Sequence, residues 1–289
     1  MDLFLTLLVI GLTVGSMYAL FAVSFGLIYN VTHIFHFAHG AVISAGGYLI
    51  YVFVAILHWP IWLAIALATV LVSALGAGIE LGFYRPLRRR GAPDVAFFLT
   101  SVGVLIVAEG ALGAIFGPGV VTLKFLPLIA VHIGSVSSTT ANIAMLFSWV
   151  FIGLAIAYLV STRSGRFMRA VSDTPAVAAS VGVDIERTYL VSFILGSALT
   201  VPAILMFAWS QGLTPLTGLN SILVASAAVI IGGRTGILAG AVAALVLGII
   251  QAIVVVFLPS GWQDAVVFSL LLLVIVLRPR GVFGRSLRW

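Results

Sequence analysis

Apolar residues in this chain come in blocks of about twenty, each closed by a short polar or charged break. A helix needs roughly 20 apolar residues to cross the hydrocarbon core of a bilayer. Blocks of that order lie at about 3–29, 37–57, 61–84, 95–116, 142–160, 189–209, 236–257 and 263–277, and a shorter apolar piece lies at 220–233. The pattern predicts an all-α polytopic membrane protein with about 8–9 transmembrane helices, forming one transmembrane domain over residues 1–289. The stretches 30–40 and 220–233 fit a full span poorly and are expected to be broken or re-entrant elements.

Charge gives the predicted helices a direction. The 14 Lys/Arg residues are arginines apart from Lys124, and the arginines gather in three clusters and one lone site. The clusters are Arg85/Arg88/Arg89/Arg90, Arg163/Arg166/Arg169/Arg187 and Arg278/Arg280/Arg285/Arg288, and the lone site is Arg234. Basic loops stay on the cytoplasmic face of inner membranes. Loop 161–187 and the tail are therefore expected inside, and the N-terminus and the outer loop 117–140 outside. About nine crossings close this parity. Trp59, Trp62, Trp209 and Trp262 fall at the predicted outer helix ends, where an amphipathic indole suits the interface. The first residues lack the basic region of a cleaved signal, so the opening block reads as a retained helix.

Composition narrows the function classes. With 62% hydrophobic and 8% charged residues the chain does not read as an ordinary soluble domain. Its net charge of +6 is spread over separate juxtamembrane loops, so it forms no stripe for nucleic acid. The absence of cysteine excludes disulfides, thiolate metal sites and a cysteine nucleophile. No phosphate loop of the G-x-x-x-x-G-K-[ST] kind is present, so no catalytic role and no ATP site of that kind are expected of this chain.

Few side chains inside the blocks carry chemistry. Glu80 lies near the inner end of its helix, one turn from Arg85, where it can pair or reach the surface. Glu109 lies deeper, and reads either as a pathway residue or as a partner to a dipole or hydroxyl. His33, His36 and His39 would share one face if their stretch is helical, and otherwise mark a bend at the membrane boundary. Without acidic or thiolate neighbours they are expected to pack or to line a path, and no metal site is expected. Small residues four apart allow close helix contact. Gly11 with Gly15, Gly78 with Gly82, and the run Gly232, Gly236, Gly240 are such pairs, either packing within the subunit or forming a seam that moves in gating.

The loop from Ser161 to Thr188 is the most informative. Thr174 before Pro175 predicts a helix start, with the hydroxyl capping and proline in the first turn. Ala176, Val177, Ala178, Ala179 and Val181 make about two turns of small apolar surface, which Gly182 ends by taking a left-handed conformation. Such a surface facing water calls for a partner, and two turns are too few for adsorption to lipid.

At this loop the chain resembles the branched-chain amino-acid ABC importer permeases. The segment Gly165-Arg166-Phe167-Met168-Arg169-Ala170, with Asp173, Ala178-Ala179 and Gly182-Val183 after it, looks like the coupling region of that family. The run from Gly11 to Leu20 is similar to the family's opening helix. Phe37-Ala38-His39-Gly40 resembles its N-F-A-H-G motif, and Arg278 to Gly284 its C-terminal ending. The combination is similar to the first of the two permeases that such systems carry. It departs at His36, which replaces the motif's Asn, at Ser197–Pro202, where Pro202 is expected to kink the helix, and at Arg234.

The resemblance implies a multi-pass subunit of the bacterial inner membrane without its own ATPase site. Its partners would be a second homologous permease, two cytoplasmic ATPases that bind ATP and Mg, an external substrate-binding protein and membrane lipid. The coupling residues would be Gly165, Arg166, Arg169, Ala170, Asp173, Pro175, Ala178, Ala179 and Gly182, and the pathway residues His39, Gly40, Glu109 and Asn220. The substrate would be a branched-chain amino acid or a related small polar solute such as urea, an amide or a carboxylate. The rival reading is a self-contained channel or secondary carrier for a small neutral solute. Sparse charge inside the membrane is compatible with it.

Overall fold

With little water near the backbone, the apolar blocks must satisfy their amide groups internally, and they do so as helices. The computed structural model describes residues 2–133, 136–233, 236–278 and 281–283. Helix α1 (Asp2–Thr32) is followed by α2 (Ala38–Tyr51), which runs on through a π turn at Val52–Ile56. Helix α3 (Ile61–Ile79) likewise continues through a π turn at Glu80–Tyr84 into α4 (Arg85–Arg89). Helix α5 (Asp94–Phe116) leads into the long loop, whose strands β1 (Ala130–Ile133) and β2 (Val136–Thr139) pair as an antiparallel hairpin. Then come α6 (Thr140–Met145), α7 (Ser148–Ser161), α8 (Arg163–Asp173) and α9 (Pro175–Ser180). The chain closes with α10 (Ile185–Gln211), α11 (Thr217–Gly232), α12 (Ile237–Phe257) and α13 (Gln263–Leu277).

Among the described residues, seven helical stretches are long and apolar enough to cross a membrane, and α11 and α13 are shorter apolar helices. The expected break at 30–40 is present. Residues 33–36 are not helical and His33 takes φ +58, so the three histidines share no helical face. The expected weak element at 220–233 is a 16-residue helix. Its length of about 24 Å by helical rise falls short of the hydrocarbon core. Backbone bonds tie both of its ends. Val121 and Leu213 exchange bonds of 2.8 and 2.7 Å, joining the turn before α11 to the 117–140 loop. The Val282 amide donates to the Ile231 carbonyl at 2.8 Å, joining the end of α11 to the segment after α13. Helix α10 runs through Pro202 without a break.

Helix α1 packs most extensively against α12, and glycine makes this possible. A methyl on Gly11 would come 2.6 Å from the Ile249 Cα, and one on Gly15 would come 2.7 Å from the Leu245 carbonyl. Gly232 meets Ala239, and Gly240 meets Val229, across the α11–α12 contact. Gly236 instead serves the turn, opening α12 with φ +141. The Gly78/Gly82 pair departs from the expected packing within the subunit: nothing lies within 4 Å of a methyl built on either one. On that helix it is Gly76 that sits against Ser197 and Phe193 of α10.

Candidate functional site

Helices α8 and α9 form a hairpin whose local construction differs from the expectation in one respect. Thr174 does stand before Pro175 at the start of α9, but its hydroxyl makes no capping bond. Its exposed position and extended backbone (φ −153, ψ 96) leave the Ala178 amide bonding to its carbonyl, at 3.0 Å. Side-chain caps are supplied by Thr162, which accepts from the Gly165 amide at 3.0 Å, and by Asp184, which accepts from the Arg187 amide at 3.0 Å. Gly165 is buried where a methyl would come 2.6 Å from the Tyr158 carbonyl, so glycine lets α8 fold back on α7. Gly182 ends α9 with φ +83, as its position in the sequence implies.

Burial sorts the expected coupling residues. Ala178 is not exposed as expected; it is 2% accessible and packs with Met168, Val171 and Val183 against Leu27 and Val31 of α1 and Tyr189 of α10. Through this cluster the hairpin is held against α1 and α10. The exposed face carries Ala176, Val177, Ala179 and Val181, with Val177 60% and Val181 75% accessible. Arg166, Ala170, Asp173 and Gly182 are exposed, and Arg169 and Pro175 are half-buried.

Next to the hairpin's exit lies a group of four charges. The Arg88 guanidinium donates to both carboxylate oxygens of Glu80, and it lies 4.6 Å from the centroid of the Tyr189 ring. Glu80, expected to reach the surface or to pair beside Arg85, is buried and pairs with Arg88. The π turn at Glu80–Tyr84 and the short α4 carry the chain two turns onward, to where Arg88 reaches back. Arg85 instead pairs with Glu186 in the first turn of α10, Nε to Oε2 at 2.7 Å, and Arg88 Nε reaches the other oxygen at 3.4 Å. From the same turn Tyr84 meets His36, with 2.7 Å between hydroxyl and Nδ1. Burial, reinforced by neighbouring His39, holds the His36 imidazole well below the ordinary histidine range, so the ring is neutral.

The four expected pathway residues divide. His39 is fully buried, with Nε2 2.6 Å from the Ser24 hydroxyl. That hydroxyl spends its one proton on the Gly196 carbonyl at 2.9 Å, so His39 Nε2 must be the donor. The ring thus ties α2 to α1 and α10. Gly40 lies against the Gly218 carbonyl and Leu105, while Ser44 on the same face accepts from the Gly218 amide at 2.9 Å. Glu109 lies one helical turn from both Leu105, which touches Gly40, and Gly113, which touches Pro215. It therefore looks toward the α2–α11 junction, and its Oε1 is buried with no hydrogen-bond partner among the described residues. Asn220 is exposed on α11. Gly40 stands at this junction, and the His39 side chain next to it is turned instead to Ser24 of α1.

On the opposite end, residues 122–128 and 209–212 line an open cavity of about 480 Å³. Trp209 donates to the Leu126 carbonyl there at 3.1 Å and its ring meets Phe125. Arg234 and its turn lie outside the described residues.

Sequence reasoning missed the Arg85/Arg88/Glu186/Glu80 group. The spacing of Glu80, Tyr84 and Arg88 along one helix was the available signal.

A family model for branched-chain amino acid transport system permease components matches residues 7–277. The chain is 28% identical to the high-affinity branched-chain amino acid transport system permease protein LivH of Salmonella typhimurium, over 95% of this chain and 94% of that one. It is 27% identical to the corresponding protein BraD of Pseudomonas aeruginosa, over 98% and 96% of the two chains. It is also 35% identical to the autoinducer 2 import system permease protein LsrC of an Enterobacter species, over 45% of this chain and 42% of that one.

Proposed function

Because this chain belongs to the family of branched-chain amino acid transport system permease components, we propose that it forms the membrane path of an ATP-driven importer. Its cargo is a branched-chain amino acid or a related small polar solute. The long loop 117–140 faces outside and the α8–α9 hairpin faces the cytoplasm of a bacterial inner membrane, an orientation that the arginine clusters favour. Counting the shorter α11 and α13 as crossings beside the seven long helices among the described residues gives the nine that this parity requires. The Val121–Leu213 and Ile231–Val282 backbone bonds support α11 as a link between the two sides.

The observation that carries the reading is the apolar face of α9, displayed outward while Ala178 anchors the helix from behind. Cytoplasmic ATPase subunits, which bind the ATP and Mg, dock on that face, and a homologous permease completes the path. An external binding protein delivers solute at the loop side. When nucleotide closes the ATPases, force on the hairpin passes to α1 through Leu27 and Val31 and to α10 through Tyr189. The helices then exchange between inward-open and outward-open arrangements, a two-state equilibrium biased by bound nucleotide.

Co-expression with the ATPase subunits tests the reading. Val177→Asp and Val181→Asp should abolish co-purification of ATPase, while the permease itself is recovered in wild-type amount. Full retention of ATPase by both variants would sink the docking assignment. Calorimetric titration of the cognate binding protein with leucine, isoleucine, valine, urea and small carboxylates identifies the cargo.

A further inference from the structure

The four charges where the α3–α4 continuation meets α10 are unequal in their access to water. Glu80 has 1% and Arg88 18% of its side chain accessible, whereas Glu186 has 32% and Arg85 36%. A buried ion pair cannot part without stranding an uncompensated charge, while a half-hydrated pair separates at small cost because water replaces the partner. The inner pair is therefore fixed, and the outer contact is the one able to part: Arg85 Nε and Glu186 Oε2 cover each other without a hydrogen bond, while the rest of both side chains reaches water. Two arginines face two glutamates, so the group is neutral only while Glu186 is engaged.

Position adds the second argument. Glu186 is in the first turn of α10, a few residues beyond the hairpin, and the link between them is stiff. The Val183 amide donates to the Ala178 carbonyl at 3.0 Å, Val183 is buried in the hairpin's cluster, and Asp184 caps α10. Displacement of α9 must then move the Glu186 carboxylate. Across the gap, Arg85 and Arg88 belong to the continuation of α3, whose π turn also carries Tyr84 and its bond to His36. His36 borders Phe193 of α10, with ring centroids 4.8 Å apart, and leads to the His39–Ser24 tie.

We infer that Glu186 is a releasable positioning residue of the transport cycle. Its carboxylate engages Arg85 and Arg88 in one conformation and leaves them in the other, so hairpin movement reaches α3–α4 through an ionic contact. The inference rests on the importer reading above.

The test uses the complete complex of both permeases, ATPases and leucine-loaded binding protein in proteoliposomes, scoring radiolabelled leucine uptake against ATP hydrolysed. Glu186→Gln keeps size and removes charge at a partly hydrated site, so complex recovery should be unchanged. Leucine moved per ATP should fall severalfold, through faster hydrolysis without binding protein. Arg85→Gln should do the same, and Glu186→Asp should recover most of the coupling. An unchanged ratio in Glu186→Gln, or uptake and hydrolysis falling together in step with complex recovery, would overturn the inference alone. A wild-type complex whose hydrolysis ignores the binding protein loaded with whichever solute calorimetry shows it to bind would take down the importer reading as well.

Discussion

Two contacts in this molecule hold helices together by opposite means. Between α1 and α12 the backbones touch directly, with Gly11, Gly15 and Gly248 leaving no room for a side chain. Between α4 and α10 the contact is made by long charged side chains, part of which reach water. Packed backbones have steep repulsion and no alternative partner, so they behave as one body. Half-hydrated ions have a ready alternative in solvent, so their contact is reversible. The pairing teaches where a transport subunit can bend and where it cannot.

The sharpest way to break the comparison is to strand the buried member of the ionic group. Arg88→Met leaves the Glu80 carboxylate without its donor and should cost about 3–5 kcal/mol. The readout is loss of the monodisperse peak in detergent size-exclusion chromatography. Next comes the packed seam, where Gly248→Ala forces a methyl into the Gly15 backbone and should cost about 1–3 kcal/mol, lowering the detergent melting temperature. Glu186→Gln removes the hydrated contact and should cost below about 1 kcal/mol of stability, so its melting temperature stays close to wild type while coupling changes. Gly78→Ala closes the series. It has the spacing of the packed glycines and none of their contacts, so the better helix propensity of alanine, worth about 1 kcal/mol or less, should leave the melting temperature unchanged or slightly raised. A Gly78→Ala loss as large as that of Gly248→Ala would remove the distinction between seam and free stripe.

Gly78 and Gly248 also show what the sequence could and could not reveal. Both stand in apolar blocks at small-residue spacing, and the blocks themselves were legible because length and hydropathy alone define a span. Which face of a span meets protein was hidden. Lipid is as apolar as a helical neighbour, so no polar stripe separates the two faces. The same reason concealed that Gly76, and not Gly78, meets α10. In the hairpin the start at Pro175 and the stop at Gly182 were readable from backbone preferences. The inward turn of Ala178 was not, since alternating alanine and valine give no contrast in polarity. Arg85, Arg88 and Glu186 were visible as charges, and loop topology explained the arginines fully enough to mask their pairing.

The bond from the Val282 amide to the Ile231 carbonyl has a practical bearing. Gly281 takes φ +81 and lies so close to the Gly233 backbone that the segment beyond α13 acts as a wedge under the end of α11. Clipping the chain ahead of Gly281, or splicing a reporter there, would unseat that wedge and loosen a helix end far away in sequence. Affinity handles for purification belong after Phe283, where the wedge stays in place.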